Sequence, residues 1–165
     1  RLLLGKNLIP KGKSKEKKEL FKNKFIQKIW INLSIIDLII FWCIYLRLKM
    51  FCTDIVICDR YLFDTFIDYK INFPNINFES SIFWILLIKL LPQPDVSIML
   101  NISFEESRKR LSQKNEPYPE TEGKAKNRYL LYSAYYENYD YKIIDAAQNT
   151  NKVAIDIKNQ ILNIM

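Results

Sequence analysis

The sequence predicts an α/β fold built on an open parallel sheet, and three observations carry that reading. Short β-branched runs, Asp54-Ile-Val-Ile-Cys58, Asp95-Val-Ser-Ile-Met-Leu-Asn101 and Tyr141-Lys-Ile-Ile-Asp145, alternate with longer segments of helical pattern. The first two runs are apolar in the manner of parallel strands covered on both faces. With 49% hydrophobic and 26% charged residues over 165 positions, the chain can bury a core, and its length fits one α/β domain spanning residues 1–165.

Each element follows from local chemistry. After a Gly/Pro/Lys segment from Gly5 to Lys15, a helix is expected from Glu16 to Met50. Its middle, the eighteen residues IWINLSIIDLIIFWCIYL between Lys28 and Arg47, is broken by Asn32, Ser34 and Asp37. A membrane span needs about 20 predominantly apolar residues, and an Asp near its centre is costly, so the segment reads as a buried or subunit-packing helix. The strand 54–58 follows, then a helix from Tyr61 to Tyr69, a loop with Pro74, and a helix from Glu79 to Leu91 that Pro92 and Pro94 stop. After the strand 95–101, Ser103 and Glu106 form a capping-box pattern for a helix to Gln113. A polar stretch from Lys114 to Gly123 leads to a helix from Lys124 to Tyr139. The strand 141–145 and a helix from Asn149 to Ile164 complete the chain.

Composition excludes several chemistries. There is no histidine, which removes Ser-His-Asp and Cys-His catalysis, imidazole bases and imidazole metal ligands. Cys43, Cys52 and Cys58 are odd in number, sit in apolar surroundings and lack C-x-x-C spacing, so they read as reduced core residues of a cytoplasmic protein. The net charge of +7 is local: residues 1–28 form a basic leader with ten Lys/Arg against two acids, and the rest hold fifteen against sixteen. A leader of this kind meets phosphates, nucleic acid or anionic lipid, or else is a solvated loop and helix face, and the last is the preferred reading. The chain begins Arg1-Leu-Leu-Leu, without Met or the order of a signal peptide, and a trimmed chain or fragment is the simplest account.

In open α/β sheets ligands gather at the carboxyl ends of strands, so the polar residues there are the first candidates. Asp59 follows the first strand as a carboxylate suited to Mg²⁺ or its waters, and Arg60 adds a planar fork suited to phosphate. The alternative is that the two residues pair with each other or cap the next helix. Beyond the second strand, Arg108, Lys109 and Arg110 are consecutive, so they cannot share one helix face. Beyond the third, Asp145-Ala146-Ala147 is a small-residue turn that lets backbone approach a planar ring. Gly12-Lys13-Ser14 imitates the end of a P-loop, but Asn7 stands where G-x-x-x-x-G-K-[ST] needs glycine and Pro10 lies inside the loop.

In this order the pieces resemble thymidylate kinases and the wider thymidylate kinase-like group of nucleoside monophosphate kinases over residues 50–165. The resemblance rests on Cys58-Asp59-Arg60-Tyr61, on Leu91-Pro-Gln-Pro-Asp95 entering its strand, on Glu105-Glu-Ser-Arg108-Lys-Arg110 leading into a lid region (103–123), and on Ile144-Asp145-Ala146. The longer pattern Asp59-Arg-Tyr-x-x-Asp64-x-x-x-Asp68 resembles a divergent branch found with polysaccharide-biosynthesis genes, whose acceptor need not be thymidylate.

The resemblance implies a three-layer parallel sheet of the P-loop nucleotide kinase type, truncated at the amino terminus so that its first strand and P-loop are missing. It implies ATP and Mg²⁺, with Asp59 near the metal and the acceptor, Arg60 clamping the acceptor phosphate, and Tyr61 and Asp64 on the acceptor side. Arg108 and Arg110 would reach the donor nucleotide, Asp145 and Ala146 would lie beside adenine, and Arg128 is a weaker candidate. The expected reaction moves the γ-phosphoryl of ATP to a nucleoside monophosphate or related phosphorylated acceptor, and the chain alone is expected to be inactive for want of the P-loop. The expected partners are that small substrate and a second copy through the apolar helices, with no nucleic acid and no favoured membrane contact. The competing class is a non-catalytic membrane-surface or interaction protein that uses the basic leader and the apolar helix.

Overall fold

The first helix begins where its cap does: Asn23 takes an extended conformation and its side-chain oxygen accepts from Phe25 N at 2.8 Å, starting α1 (Lys24–Leu38). The computed structural model describes residues 21–113, 120–136 and 139–163, so the expected start near Glu16, residues 1–20 of the leader and residues 114–119 of the lid region lie outside the described residues. The helix continues without a break through π-helical turns (Ile39–Tyr45) into α2 (Leu46–Cys52). Within the wider π turns the adjacent Trp42 and Cys43 are both buried.

The described residues divide into two compact units, one holding the chain up to Tyr61 with Asn72–Pro92, the other holding Leu62–Ile71 with Gln93 onward. In the first unit the long helix packs against a 3₁₀ turn (Phe78–Ser80) and α4 (Ile82–Leu90). Ile31, Ile35, Phe78 and Leu87 are almost fully enclosed there, and Trp84 meets Phe78 edge-on at 4.9 Å. Two polar contacts fix the packing: Ser81 Oγ donates to Asn32 Oδ1 at 2.8 Å, and Arg47 donates to the Leu90 carbonyl at 2.7 Å. The Asn32 that interrupts the apolar run is therefore a packing contact. The opposite face of the same helix is apolar and open, with Leu33, Ile40, Ile44 and Leu48 each more than half exposed. By length and composition alone the 29 residues from Lys24 to Cys52 can cross a membrane.

The second unit is built around α3 (Leu62–Asn72) and a parallel pair of strands, β1 (Ser97–Asn101) and β2 (Tyr141–Asp145), in the register Ser97↔Tyr141 to Asn101↔Asp145. Between the strands run α5 (Phe104–Ser112) and α6 (Glu122–Tyr135), and α7 (Thr150–Leu162) follows β2 and packs on it. The connection between parallel strands passes through helices, as it must. Phe63 of α3 is 3% exposed because Tyr132, Tyr139 and Tyr141 surround it at ring distances of 5.3, 4.7 and 5.5 Å. Of the expected capping box, Ser103 Oγ accepts from Glu106 N at 3.2 Å while the Glu106 carboxylate accepts from Arg110, and Asn149 caps α7 by accepting from Asn151 N at 2.9 Å.

Two expectations need correction, and a third, the three-layer sheet, is seen only in part. Residues 54–58 form no strand; among the described residues their backbone groups meet no partner, and Ile55 and Ile57 are 61% and 83% exposed. A strand exists only by pairing with a neighbour, and β-branched composition alone does not supply one. The parallel sheet is accordingly two strands wide among the described residues, with Leu100 and Ile143 each 51% exposed, so the three-layer arrangement and the burial expected of 95–101 are not seen there. Of the three cysteines, which are all free, only Cys43 is a core residue, while Cys52 and Cys58 are exposed because they lie at the helix end and in the unpaired stretch.

Candidate functional site

The polar residues flagged at the strand ends fall into both units. In the first, Asp59 and Arg60 occupy an exposed bend after the irregular 54–58 stretch. Arg60 has φ 65°, the one positive value at a non-glycine position among the described residues. A left-handed arginine carries a steric penalty of about 1–2 kcal/mol, which surrounding structure must offset. The neighbouring residue supplies an anchor: Tyr61 donates to the Pro92 carbonyl at 2.9 Å and its ring packs on Trp42 at 4.9 Å. Burial pushes the Tyr61 hydroxyl well above the ordinary phenol range, reinforced by Cys58 and Cys43 and opposed by Arg47. Its hydroxyl is thus a neutral donor, tied to the chain that leaves α4.

In the second unit the carboxyl edge of the sheet is a built turn. Asn101 and Asp145 are register partners at the ends of β1 and β2, and Ala146 N donates to the Asn101 carbonyl at 2.7 Å. Asp145 accepts from Ala147 N at 2.8 Å, and Gln148 Nε2 donates to the Asp145 carbonyl at 3.0 Å. Arg110 reaches this turn from α5, donating to the Ala146 carbonyl at 2.9 Å while its Nε donates to Glu106 at 3.0 Å. Three of the sequence-predicted donor-side residues, Arg110, Asp145 and Ala146, therefore converge. Arg108 does not join them. It lines a groove between α5 and α6, where its NH1 is buried and meets no hydrogen-bond partner among the described residues.

The carboxylates of α3 are engaged by α6. Asp64 and Asp68, four residues apart and so on one helix face, accept from Tyr132 Oη and from Arg128 NH1 respectively. Arg128 also grips Glu120 with two parallel bonds of 3.1 Å, using Nε and NH2. Although burial alone would lower its pKa, the bonds to Glu120 and Asp68 hold the guanidinium above its ordinary range. Sequence reasoning singled out Asp64 and Arg128 but gave no role to Tyr132 or Glu120. The i,i+4 spacing of Asp64 and Asp68 marks the shared face, yet nothing local names the partners sixty and more residues away.

Among the described residues no three His, Cys, Asp or Glu side chains gather as a metal cage. Asp59, a single exposed carboxylate, fits the mode in which Mg²⁺ takes one protein ligand and fills its sphere with water and substrate phosphate. No curated protein and no solved structure matches the chain. The model of the family described as thymidylate kinase matches residues 45–157, a stretch that contains Asp59, Arg60, Arg110, the Ala146 turn and the Asp64–Tyr132 and Asp68–Arg128 pairs. Because that match covers well over half of the 165 residues, the chain belongs to the thymidylate kinase family.

Proposed function

We propose that the chain forms the acceptor-side and adenine-side part of a Mg²⁺-dependent kinase that moves the γ-phosphoryl of ATP to a nucleoside monophosphate of the dTMP type, or to a related phosphorylated acceptor. Family membership carries the coarser statement, a phosphotransferase that acts on nucleotides with ATP as general donor. The observation that carries the finer one is the Arg110–Ala146 contact at the carboxyl ends of two parallel strands. That is where open α/β sheets place nucleotides. In this reading the Ala146 turn faces the adenine ring with Arg110 against it, and Arg60 clamps the acceptor phosphate. Asp59 would hold Mg²⁺, and the metal, when bound, neutralises charge on the transferring phosphoryl group. Tyr61 and Asp64 shape the acceptor side indirectly, since Tyr61 is bonded to Pro92 and Asp64 to Tyr132.

Phosphoryl transfer depends on positioning and charge stabilisation, which Arg, Lys and Asp supply without histidine. It also needs a cradle for the donor phosphates. The 165 residues contain no complete G-x-x-x-x-G-K-[ST] motif. We place that cradle on sequence outside residues 1–165 and expect these residues alone not to turn over. The test is a coupled assay of ADP release with dTMP and other nucleoside monophosphates, run on the 165-residue chain and on the longest gene product, each with and without Mg²⁺. The reading expects acceptor-dependent and Mg²⁺-dependent ADP only from the longer protein; if that protein gives none with any acceptor, the reading falls.

A second reading is favoured by one observation, the open apolar face of the helix from Lys24 to Cys52 with Lys24 and Lys28 exposed at one end and Arg47 and Lys49 at the other. It makes the chain a membrane-surface protein, with lysines on anionic headgroups and the apolar face in lipid. Co-sedimentation with anionic vesicles at two salt concentrations separates the two, since the kinase reading leaves the chain in the supernatant.

A further inference from the structure

Two departures from regular backbone in the first unit meet at one side chain. Arg60 is left-handed at φ 65°, and the long helix widens into π-helical turns over Ile39–Tyr45. Both features are uncommon and gather at functional sites. Tyr61, next to the arginine, links them. Its ring packs on Trp42 of the π turns at a centroid distance of 4.9 Å and an interplanar angle of 52°, and its hydroxyl donates to the Pro92 carbonyl at 2.9 Å. Trp42 is 7% exposed and Leu91, beside Pro92, is 6% exposed, so both ends of the link are set in packed structure.

A left-handed arginine lies above the ordinary conformers in energy, so it relaxes unless adjoining residues hold it. On its amino side residues 53–59 are irregular and exposed. On its carboxyl side stands Tyr61, fixed at the ring by Trp42 and at the hydroxyl by Pro92, which makes that side the anchor. We propose that Tyr61 is a positioning residue for phosphoryl transfer: held by Trp42 and the Pro92 carbonyl, it keeps Arg60 left-handed and so sets where the guanidinium meets the acceptor phosphate. The inference rests on the reading of Arg60 as that clamp. Aim matters there because a misplacement of about 1 Å forfeits much of what a positioned group contributes to rate.

The test uses the longer gene product with dTMP as acceptor. Tyr61→Phe keeps the ring and removes the donor, and should lower kcat/KM for dTMP about tenfold while KM for ATP stays unchanged. Arg47→Ala is the matched control: it too removes one side-chain bond to a carbonyl at the end of α4, at Leu90, and should leave kcat/KM for dTMP unchanged. In the Arg60→Ala background Tyr61→Phe should add less than about twofold, because a residue that acts through Arg60 has nothing left to position. A readout independent of activity is the intraresidue amide-to-Hα nuclear Overhauser effect of Arg60 in arginine-labelled protein, which is strong when φ is positive. It should weaken in Tyr61→Phe and persist in Arg47→Ala. Circular dichroism shows whether Tyr61→Phe folds, and if it does not, Trp42→Phe decides with the same signs and a smaller loss. The proposal is overturned by unchanged kcat/KM in folded Tyr61→Phe, by full additivity with Arg60→Ala, or by an unchanged Overhauser effect. If Arg60→Ala turns over normally, the clamp reading falls and takes the catalytic half of the proposal with it, while the Overhauser effect still decides whether Tyr61 holds the left-handed backbone.

Discussion

Arg60 combines two properties that substitution can separate, a left-handed backbone and a guanidinium. Arg60→Gly and Arg60→Ala both remove the guanidinium, but only alanine keeps the Cβ that clashes at φ 65°. The glycine variant of the longer gene product should therefore be more stable than the alanine variant by about 1 kcal/mol in urea titration. If Arg60 is the acceptor-phosphate clamp, both variants of the catalytically competent gene product should lose turnover by at least about a hundredfold, on the order of 3 kcal/mol of transition-state stabilisation. Arg47→Ala loses a bond to the Leu90 carbonyl and should cost about 1 kcal/mol of stability with turnover almost unchanged. Equal losses of turnover at positions 60 and 47 would mean that folding explains Arg60.

Also at the residue scale, Tyr141 is pushed up to about 12 from 10.0, first by burial and then by Asp64 and Tyr139, both of which oppose a second negative charge. The raised folded-state value means that the neutral phenol favours the native state. Its contribution is fully present below pH 10 and is lost as pH rises toward about 12, because the unfolded chain ionises first. Ultraviolet titration of tyrosinate should show a late-ionising phenol that disappears in Tyr141→Phe, and that variant should resist alkaline unfolding better within this window. A single titration near pH 10 for every tyrosine would contradict the burial of this one.

At the scale of elements, the helices are joined by a few polar contacts whose removal has predictable costs. Arg128 ties α3 to the start of α6 through Asp68 and Glu120, and its side chain is 24% exposed. Arg128→Met leaves two carboxylates without their cation and should destabilise the second unit by about 2 kcal/mol, whereas Arg128→Lys, which keeps charge but not the fork, should recover only part of this. Double substitution with Asp68→Asn should be less than additive, because the two residues share one contact. Ser103→Ala removes the cap of α5 and should cost about 1 kcal/mol. These values come from chemical denaturation of the longer gene product, followed by far-ultraviolet circular dichroism.

For the whole molecule, the decisive feature is what the two-stranded sheet and the 54–58 stretch leave unpaired. Among the described residues each strand of the β1–β2 pair has one neighbour, and Leu100, Ile143, Ile55 and Ile57 are all more than half exposed. A two-stranded sheet is marginal by itself, and open strand edges invite association. Domain stability is only about 5–15 kcal/mol, so so large an exposed apolar surface is not readily absorbed. Residues 1–165 expressed alone are therefore expected to bind a hydrophobic dye, aggregate at high concentration and melt without a cooperative transition. A gene product that adds a further strand should melt sharply. A sharp and reversible melt of the 165 residues would show that the sheet needs no additional strand, and would count against the kinase reading.

Sequence by itself determined what rests on contacts within a few residues. The helix starts at Ser103 and Asn149 were legible, because a cap is a bond between a side chain and a backbone group two or three positions on, whereas the cap at Asn23 was missed and the helix was expected from Glu16. The strands, expected at 95–101 and 141–145, and the small-residue turn at Ala146 were legible as β-branched runs and their polar ends, although the pairing that makes them strands joins residues 44 apart. Only tertiary structure decided the rest. Whether Ile55–Cys58 is a strand depends on a neighbour to pair with, which no local property of those residues contains. Helical spacing tells that Arg108 and Arg110 diverge, but only packing reveals that Arg110 meets the Ala146 carbonyl while Arg108 faces α6. Asp64 and Asp68 looked like candidate site carboxylates in the sequence, and the fold gives them to Tyr132 and Arg128. A side chain's chemistry is written in its residue type, but its partner is chosen by the path of the chain, and that path is set by the burial of Phe63, Phe66, Ile67 and their neighbours in a common core.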